Sequence, residues 1–235
     1  MDMAATHLWE KIGIQKKIIN NMDNYNITFQ TWDKVAQIYQ DKFMDMDLYN
    51  DSYDRFCQLV EKPNASIFEI GCGPGNITRY ILSKRPDLKI EAIDMAPNMI
   101  RLAKENNPAA DFKIMDCRAI DSLTTKYDAV LCGFCMPYLT KEDCKKFIKD
   151  CSFLLNNDGI LYFSIIEDDY NKSNYETSSD GQYKMYVYYH EENYLREWLE
   201  ENNFELIFLE RKNYPKGDGT SQINLIVIAK KNNQG

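Results

Sequence analysis

The sequence predicts an α/β fold built on a mostly parallel, nucleotide-binding sheet, and three observations carry that prediction. Ile67, Phe68 and Ile70 form a short apolar run that stops at Gly71, Gly73 and Gly75, and a helical pattern with Ile77, Tyr80 and Ile81 follows at once. From there to residue 166, strand-like runs alternate with helical stripes, the order expected of parallel strands joined by crossover helices. After residue 204 two β-rich stretches close the chain.

The chemistry of the glycine turn is local. Glycine lacks a Cβ, so the chain can take positive φ and a ligand can lie directly against the backbone. The turn also aims the N–H groups of the following helix at whatever polar or negative group is bound there. Spacing narrows the ligand. A dinucleotide fingerprint has its third glycine three residues after the second, where this chain has Asn76, and Gly75 comes one residue early.

At 235 residues, with 44% hydrophobic content, one α/β domain and its core are accounted for. The 28 basic and 36 acidic side chains leave a net charge of −8. Electrostatic capture of nucleic acid or of an anionic membrane wants a basic face, so neither partner is expected. No apolar run reaches the ~20 residues of a membrane helix. The N-terminus lacks the basic start and apolar middle of a signal peptide, and a cytoplasmic protein is expected. The seven cysteines are odd in number and scattered. Cys132-Gly-Phe-Cys135 has the spacing of half a zinc site or a redox pair. With no second such pair and only His7 and His190 to complete a site, no metal is expected and the thiols read as reduced and structural.

Residues 1–62 read as an N-terminal helical extension of the domain formed by residues 63–235. Leu8, Ile12 and Ile19 have some helical spacing. Trp32, Val35, Ala36 and Tyr39 mark one helix face, 41–51 is acidic and Met-rich like a loop or loose lid, and Tyr53, Phe56, Cys57 and Val60 mark a helix ended by Pro63-Asn64. Residues 89–93 form the second strand, with Asp94 at its tip, and Pro97 suits the first turn of the next helix. Strands three and four fall at 112–115 and 127–132. Thr140 with Asp143 predicts a helix cap, Asn156 to Gly159 a stop, and 159–166 a buried fifth strand. Residues 167–182 are polar, acidic and rich in turn formers, a disordered stretch or a functional lid. A β-prone run (183–190), a helix (191–203), a strand (204–209), a turn (215–219) and a last strand (223–229) follow, with fraying from Lys230.

Taken together, these landmarks resemble the class I S-adenosylmethionine-dependent methyltransferases. Glu69-x-Gly71-x-Gly73-x-Gly75 is similar to that family's first motif, residues 132–138 to the stretch after its fourth strand, and LLNNDGILYFS (154–164) to the motif around its fifth. The resemblance implies a Rossmann-like, seven-stranded methyltransferase sheet, mostly parallel with the last strand antiparallel, helices on both faces and an N-terminal helical lid. It implies S-adenosylmethionine as cofactor, S-adenosylhomocysteine as product, a small-molecule acceptor, and a monomer or homodimer. Asp94, about twenty residues beyond the glycines, is then placed on the ribose hydroxyls. Asp116 would accept from the adenine amino group while the Cys117 N–H donates to the ring, and Tyr39 would lie against the methionine end. Glu69, Gly71, Cys72, Gly73, Met95 and Gly133 complete the expected cofactor contacts. Ala96 departs from the pattern, where the family often has a capping serine or threonine.

Methyl transfer is an in-line displacement at a carbon already activated by its sulfonium, so the protein mainly aligns the nucleophile and excludes water. A general base is needed only if the acceptor must lose a proton first. His190, at the end of an aromatic run, is the candidate to position the acceptor or take its proton; its other reading is a helix cap or a core hydrogen bond. A sheet that binds the cofactor without turnover, as a scaffold, and a nicotinamide-dependent oxidoreductase are the rival classes.

Overall fold

A computed structural model describes residues 24–178, 181–217 and 219–233. The helical spacing at Leu8, Ile12 and Ile19 lies outside the described residues. Helix α1 covers residues 24–34, a turn at Val35 passes directly into α2 (Ala36–Phe43), and α3 (Asn50–Leu59) follows after a short connection. The helical path therefore reaches Phe43, past the boundary expected at Tyr39.

The alternating units follow in order: β1 (Ser66–Ile70), α4 (Asn76–Lys84), β2 (Lys89–Asp94), α5 (Pro97–Asn106), β3 (Asp111–Ile114), β4 (Tyr127–Cys132), α6 (Lys141–Leu154) and β5 (Leu155–Glu167). Next come β6 (Asn174–Thr177), β7 (Lys184–Val187), α7 (Glu192–Glu201), β8 (Phe204–Pro215) and β9 (Ser221–Lys231). The seven-stranded sheet has the order β3-β2-β1-β4-β5-β9-β8. Strands β1 to β5 pair in parallel, and β9 runs antiparallel to both of its neighbours. The expected sheet, with its last strand antiparallel, is the one observed. The strand order reverses between β1 and β4, which opens a crevice at the carboxyl ends of these two strands.

Side chains alternate across the sheet and feed two cores. Phe68, Ile70, Val130 and Phe163 pack with α6 and α7, while Ile67, Ala129, Leu131 and Tyr162 pack with α3 and α4. Glu69 therefore points to the second face. The Thr140 side chain accepts from the Asp143 N–H at 3.1 Å, so the predicted cap of α6 forms. No helix among the described residues is long and apolar enough to cross a membrane.

Three boundaries differ from the sequence expectation, each for a tertiary reason. Leu155 already pairs with Tyr127, and the next pair is Ile160 with Ala129, so Asn156 to Gly159 bulge out of a strand that began earlier. Asp158, at φ 59°, supplies the left-handed step there. Strands β8 and β9 pair through to Pro215 and Ser221, and Lys230 and Lys231 are within the ladder rather than frayed. The polar stretch after Glu167 supplies a strand, β6, which pairs with β7 from the β-prone run to form a hairpin. Its partner is α1: Thr31 Oγ1 donates to the Lys184 carbonyl at 2.7 Å, Thr28 Oγ1 accepts from the Tyr186 N–H at 3.0 Å, and Asn24 Oδ1 accepts from the Tyr175 hydroxyl at 2.7 Å. Positions 24, 28 and 31 lie on one helix face.

Candidate functional site

The crevice between β1 and β4 is shaped by the glycine turn. Gly71, Gly73 and Gly75 have φ of 70°, 53° and 79°. A Cβ at Gly71 would stand 2.6 Å from Cys135 Cβ, and one at Gly75 would stand 2.3 Å from Asn107 Nδ2. Gly73 is different: its missing Cβ leaves room, with Tyr39 Cε1 as the nearest atom at 3.7 Å. Close packing thus dictates the first and third glycines, while the second leaves backbone open to a ligand.

A hydrogen-bond frame fixes the turn. The Gly71 and Cys72 N–H groups donate to the Ile93 carbonyl at 2.8 and 3.0 Å. Asp94 accepts from the Gly73 N–H through Oδ2 and from the Ala96 N–H through Oδ1, both at 2.9 Å. Asn106 Nδ2 donates to the Pro74 carbonyl at 2.8 Å and Asn107 Nδ2 to the Gly75 carbonyl at 2.9 Å. Desolvation raises the Asp94 pKa above the ordinary carboxyl value, against the lowering effect of its backbone donors.

Two clefts meet over this turn. A narrow one of about 100 Å³ is bordered by Asp94, Met95, Asp116, Cys117 and Cys135. A wide one of about 1240 Å³ runs beneath α2, α3 and the β6–β7 hairpin. Trp32, Tyr39, Gly73, Gly133, Phe134 and Tyr138 line both clefts and form their junction. The Trp32 ring meets those of Tyr39 and Tyr138 edge-on, each at 5.3 Å, and its buried Nε1 has no acceptor among the described residues. Phe134 is held at φ 60°, a costly conformation for a non-glycine residue, while its N–H donates to Ser164 Oγ at 2.8 Å. In that conformation the Phe134 ring packs against the Tyr49 ring, centroids 4.9 Å apart, in the lining of the wide cleft.

Most of the sequence-predicted residues converge here, with two corrections and one complication. Tyr39, Gly71, Gly73, Asp94, Met95, Asp116, Cys117 and Gly133 border the narrow cleft, and Cys72 borders the wide one. Asp116 is already paired: Arg118 reaches it with its backbone N–H at 2.9 Å and with its guanidinium at 2.5 to 3.0 Å. Glu69 borders neither cleft. It lies buried beneath the turn, where Thr78 Oγ1 donates to its Oε2 at 2.5 Å and desolvation raises its pKa to about 8.

His190 is the larger correction, since the structure puts it in the core and away from both clefts. It is 0% exposed. Nε2 lies 3.2 Å from the Met136 carbonyl and Nδ1 lies 3.0 Å from the Tyr194 hydroxyl. A carbonyl only accepts, so Nε2 carries the proton and Nδ1 accepts from Tyr194. Burial lowers the His190 pKa to about 4, which keeps the ring neutral. The ring thus braces the loop after β4 against α7, the core-hydrogen-bond reading rather than the acceptor base.

Sequence reading alone passed over Tyr49, Asn106 and Asn107. The two asparagines stand just before Pro108 with no motif to mark them; only the fold brings them to the glycine turn.

A family model described as a methyltransferase domain matches residues 67–159, which span the glycine turn, Asp94, Asp116 and the loop after β4. Over that stretch the chain is similar to the class I S-adenosylmethionine-dependent methyltransferases that its sequence landmarks resemble. A putative methyltransferase, 235L, of Invertebrate iridescent virus 6 is 40% identical over 36% of this chain and 32% of its own length. The tRNA N(3)-methylcytidine methyltransferase trm141 of Schizosaccharomyces pombe is 24% identical over 83% of this chain and 87% of its own. Several curated relatives are matched over only a third to a half of their length. Among solved structures, the Burkholderia thailandensis 1,6-didemethyltoxoflavin-N1-methyltransferase, with bound 1,6-didemethyltoxoflavin and S-adenosylhomocysteine, has the same fold. Its TM-score is 0.63 at 19% identity, with 85% of each chain covered.

Proposed function

We propose that this chain transfers the methyl group of S-adenosylmethionine to a small, flat acceptor held in the wide cleft. The observation that carries the reading is the junction of the two clefts at Gly73, Phe134 and Tyr138. The bound cofactor supplies a methyl carbon activated by a sulfonium. Asp94 would hold the ribose hydroxyls, and the open backbone at Gly73 admits a ligand against the turn. Trp32 Nε1, a buried donor without a partner among the described residues, fits an electronegative group of the cofactor or acceptor. Tyr39, Phe134 and Tyr138 exclude water from the junction, and the aromatic walls suit a planar acceptor. Alignment and water exclusion are then the contribution of the chain, and His190 takes no part in the transfer.

The test has two steps. Calorimetric titration should find S-adenosylhomocysteine binding with one site per chain. Release of S-adenosylhomocysteine from S-adenosylmethionine is then followed with aromatic hydroxyl, amine and carboxylic acid acceptors, and with transfer RNA as a separate arm. Turnover with transfer RNA alone would refute the small-acceptor reading, and absence of cofactor binding would refute the assignment altogether.

A further inference from the structure

The C-x-x-C spacing drew attention to Cys132 and Cys135, yet the fold offers Cys135 a different partner. Cys135 Sγ lies 3.6 Å from Cys117 Sγ. Both residues line the narrow cleft, one from the loop after β4 and the other from the turn after β3. Cys132 also interacts with Cys135, but it is 0% exposed and borders neither cleft. A soluble oxidant entering the crevice therefore meets Cys135, the one partly exposed cysteine of the seven, with Cys117 beside it.

We infer that Cys117 and Cys135 form a modification site, a thiol pair that a peroxide converts to a disulfide, closing the narrow cleft to the cofactor. The step balances with a peroxide as oxidant. Cys135 sulfur attacks the peroxide, forms an S–O bond and releases one water. Cys117 sulfur then displaces the hydroxyl from Cys135, forming the S–S bond and releasing a second water when hydrogen peroxide is used. The two thiols lose two electrons in total, and the peroxide gains them.

Geometry gives the consequence. A disulfide holds its sulfurs about 2.05 Å apart, so the 3.6 Å gap must close by about 1.5 Å. Cys135 backs directly onto the turn, where a Cβ at Gly71 would already be 2.6 Å away. Drawing Cys135 toward Cys117 thus moves the wall of a cleft of only about 100 Å³. A ligand in that cleft stands between the oxidant and both sulfurs, so occupancy and oxidation oppose each other. The attacking thiol, Cys135, is held well above its ordinary pKa: the Cys117 contact lowers it, but the Cys132 contact and burial outweigh that. Cys117 is raised by its contact with Cys135 and by burial. Both shifts make oxidation slow and reserve it for sustained exposure.

The closure rests on the cofactor assignment above, whereas the disulfide itself does not. The full chain is treated with hydrogen peroxide, digested without reduction and mapped by mass spectrometry, and S-adenosylhomocysteine affinity is measured in parallel. The expected result is a Cys117–Cys135 linked peptide and at least a tenfold loss of affinity that dithiothreitol reverses. Saturation with S-adenosylhomocysteine should slow the linkage severalfold. Cys132→Ala should still form it, and Cys117→Ser, whatever its starting affinity, should lose none on treatment. A Cys132–Cys135 peptide, oxidation without any linkage, or a Cys117–Cys135 linkage with affinity unchanged would each overturn the inference. If the reduced chain binds no S-adenosylhomocysteine, the cofactor assignment and the closure fall together, and the peptide map still decides the thiol pair.

Discussion

His190 makes the stability of this chain depend on acid in a way that can be worked out from its surroundings. Its pKa is lowered from 6.5 to about 4, chiefly by burial. Above pH 6.5 the ring is neutral in both the folded and unfolded chain and contributes no pH dependence. Between pH 6.5 and about 4 the unfolded chain binds a proton that the folded chain refuses, so stability falls as the pH falls. Each tenfold difference in proton affinity is worth about 1.4 kcal/mol, which makes the loss about 3 kcal/mol by pH 4. Below that the loss levels off. The perturbation is His190→Gln, a side chain of similar reach that does not titrate. Urea unfolding of both proteins at intervals from pH 7.5 to 4 gives the difference in stability between them, and other titrating groups cancel in that difference. The variant should be less stable at pH 7.5, because the bonds to Met136 and Tyr194 are disturbed, and the gap should shrink by about 3 kcal/mol toward pH 4. A gap that stays constant across the range would show that the ring is not held neutral in the core, and the reasoning would fail.

Asp94→Ala should weaken S-adenosylhomocysteine binding about tenfold to a hundredfold in calorimetry, and it should lower the melting temperature as well, because the Gly73 and Ala96 N–H groups lose a charged acceptor. Glu69 carries the opposite sign to His190: its pKa is raised to about 8, so its contribution is intact below the ordinary value of 4.5 and is lost as the pH rises through 8. Chemical unfolding between pH 6 and 9 should show wild type losing more stability than Glu69→Gln, and parallel curves would count against the buried, protonated carboxyl. Gly75→Ala should destabilise the chain by at least ~1 kcal/mol, since φ is 79° and the new Cβ would strike Asn107. An unchanged unfolding midpoint would mean that the turn relaxes freely.

The sheet could be read from the sequence because its information is local. Each βαβ unit announces itself in a run of ten to thirty residues, with Gly71, Pro97 and Thr140 as punctuation. The β6–β7 hairpin could not be read this way. The β-prone run at 183–190 marks one arm, but β6 lies in a polar stretch, and the anchorage of the pair is about 150 residues away at Thr28 and Thr31. The site divides along the same line. Gly73 and Asp94 come with motif spacing, whereas Trp32, Tyr49 and Phe134 reach the clefts from three separate segments. For His190 the deciding neighbour, Met136, is 54 positions away, and a lone histidine carries no sequence mark that separates a base from a brace.

The ladder of Asn24, Thr28 and Thr31 on the β6–β7 hairpin has a kinetic consequence. The hairpin contributes Glu176, Met185 and Val187 to the wide cleft, while the same helical segment carries Trp32 to the junction with the narrow one. Each of these two pieces is fastened to the other. Any displacement of the hairpin must therefore break three hydrogen bonds or drag Trp32 along with it. The wall of the wide cleft and the junction at Trp32 then change shape together, no faster than those bonds break.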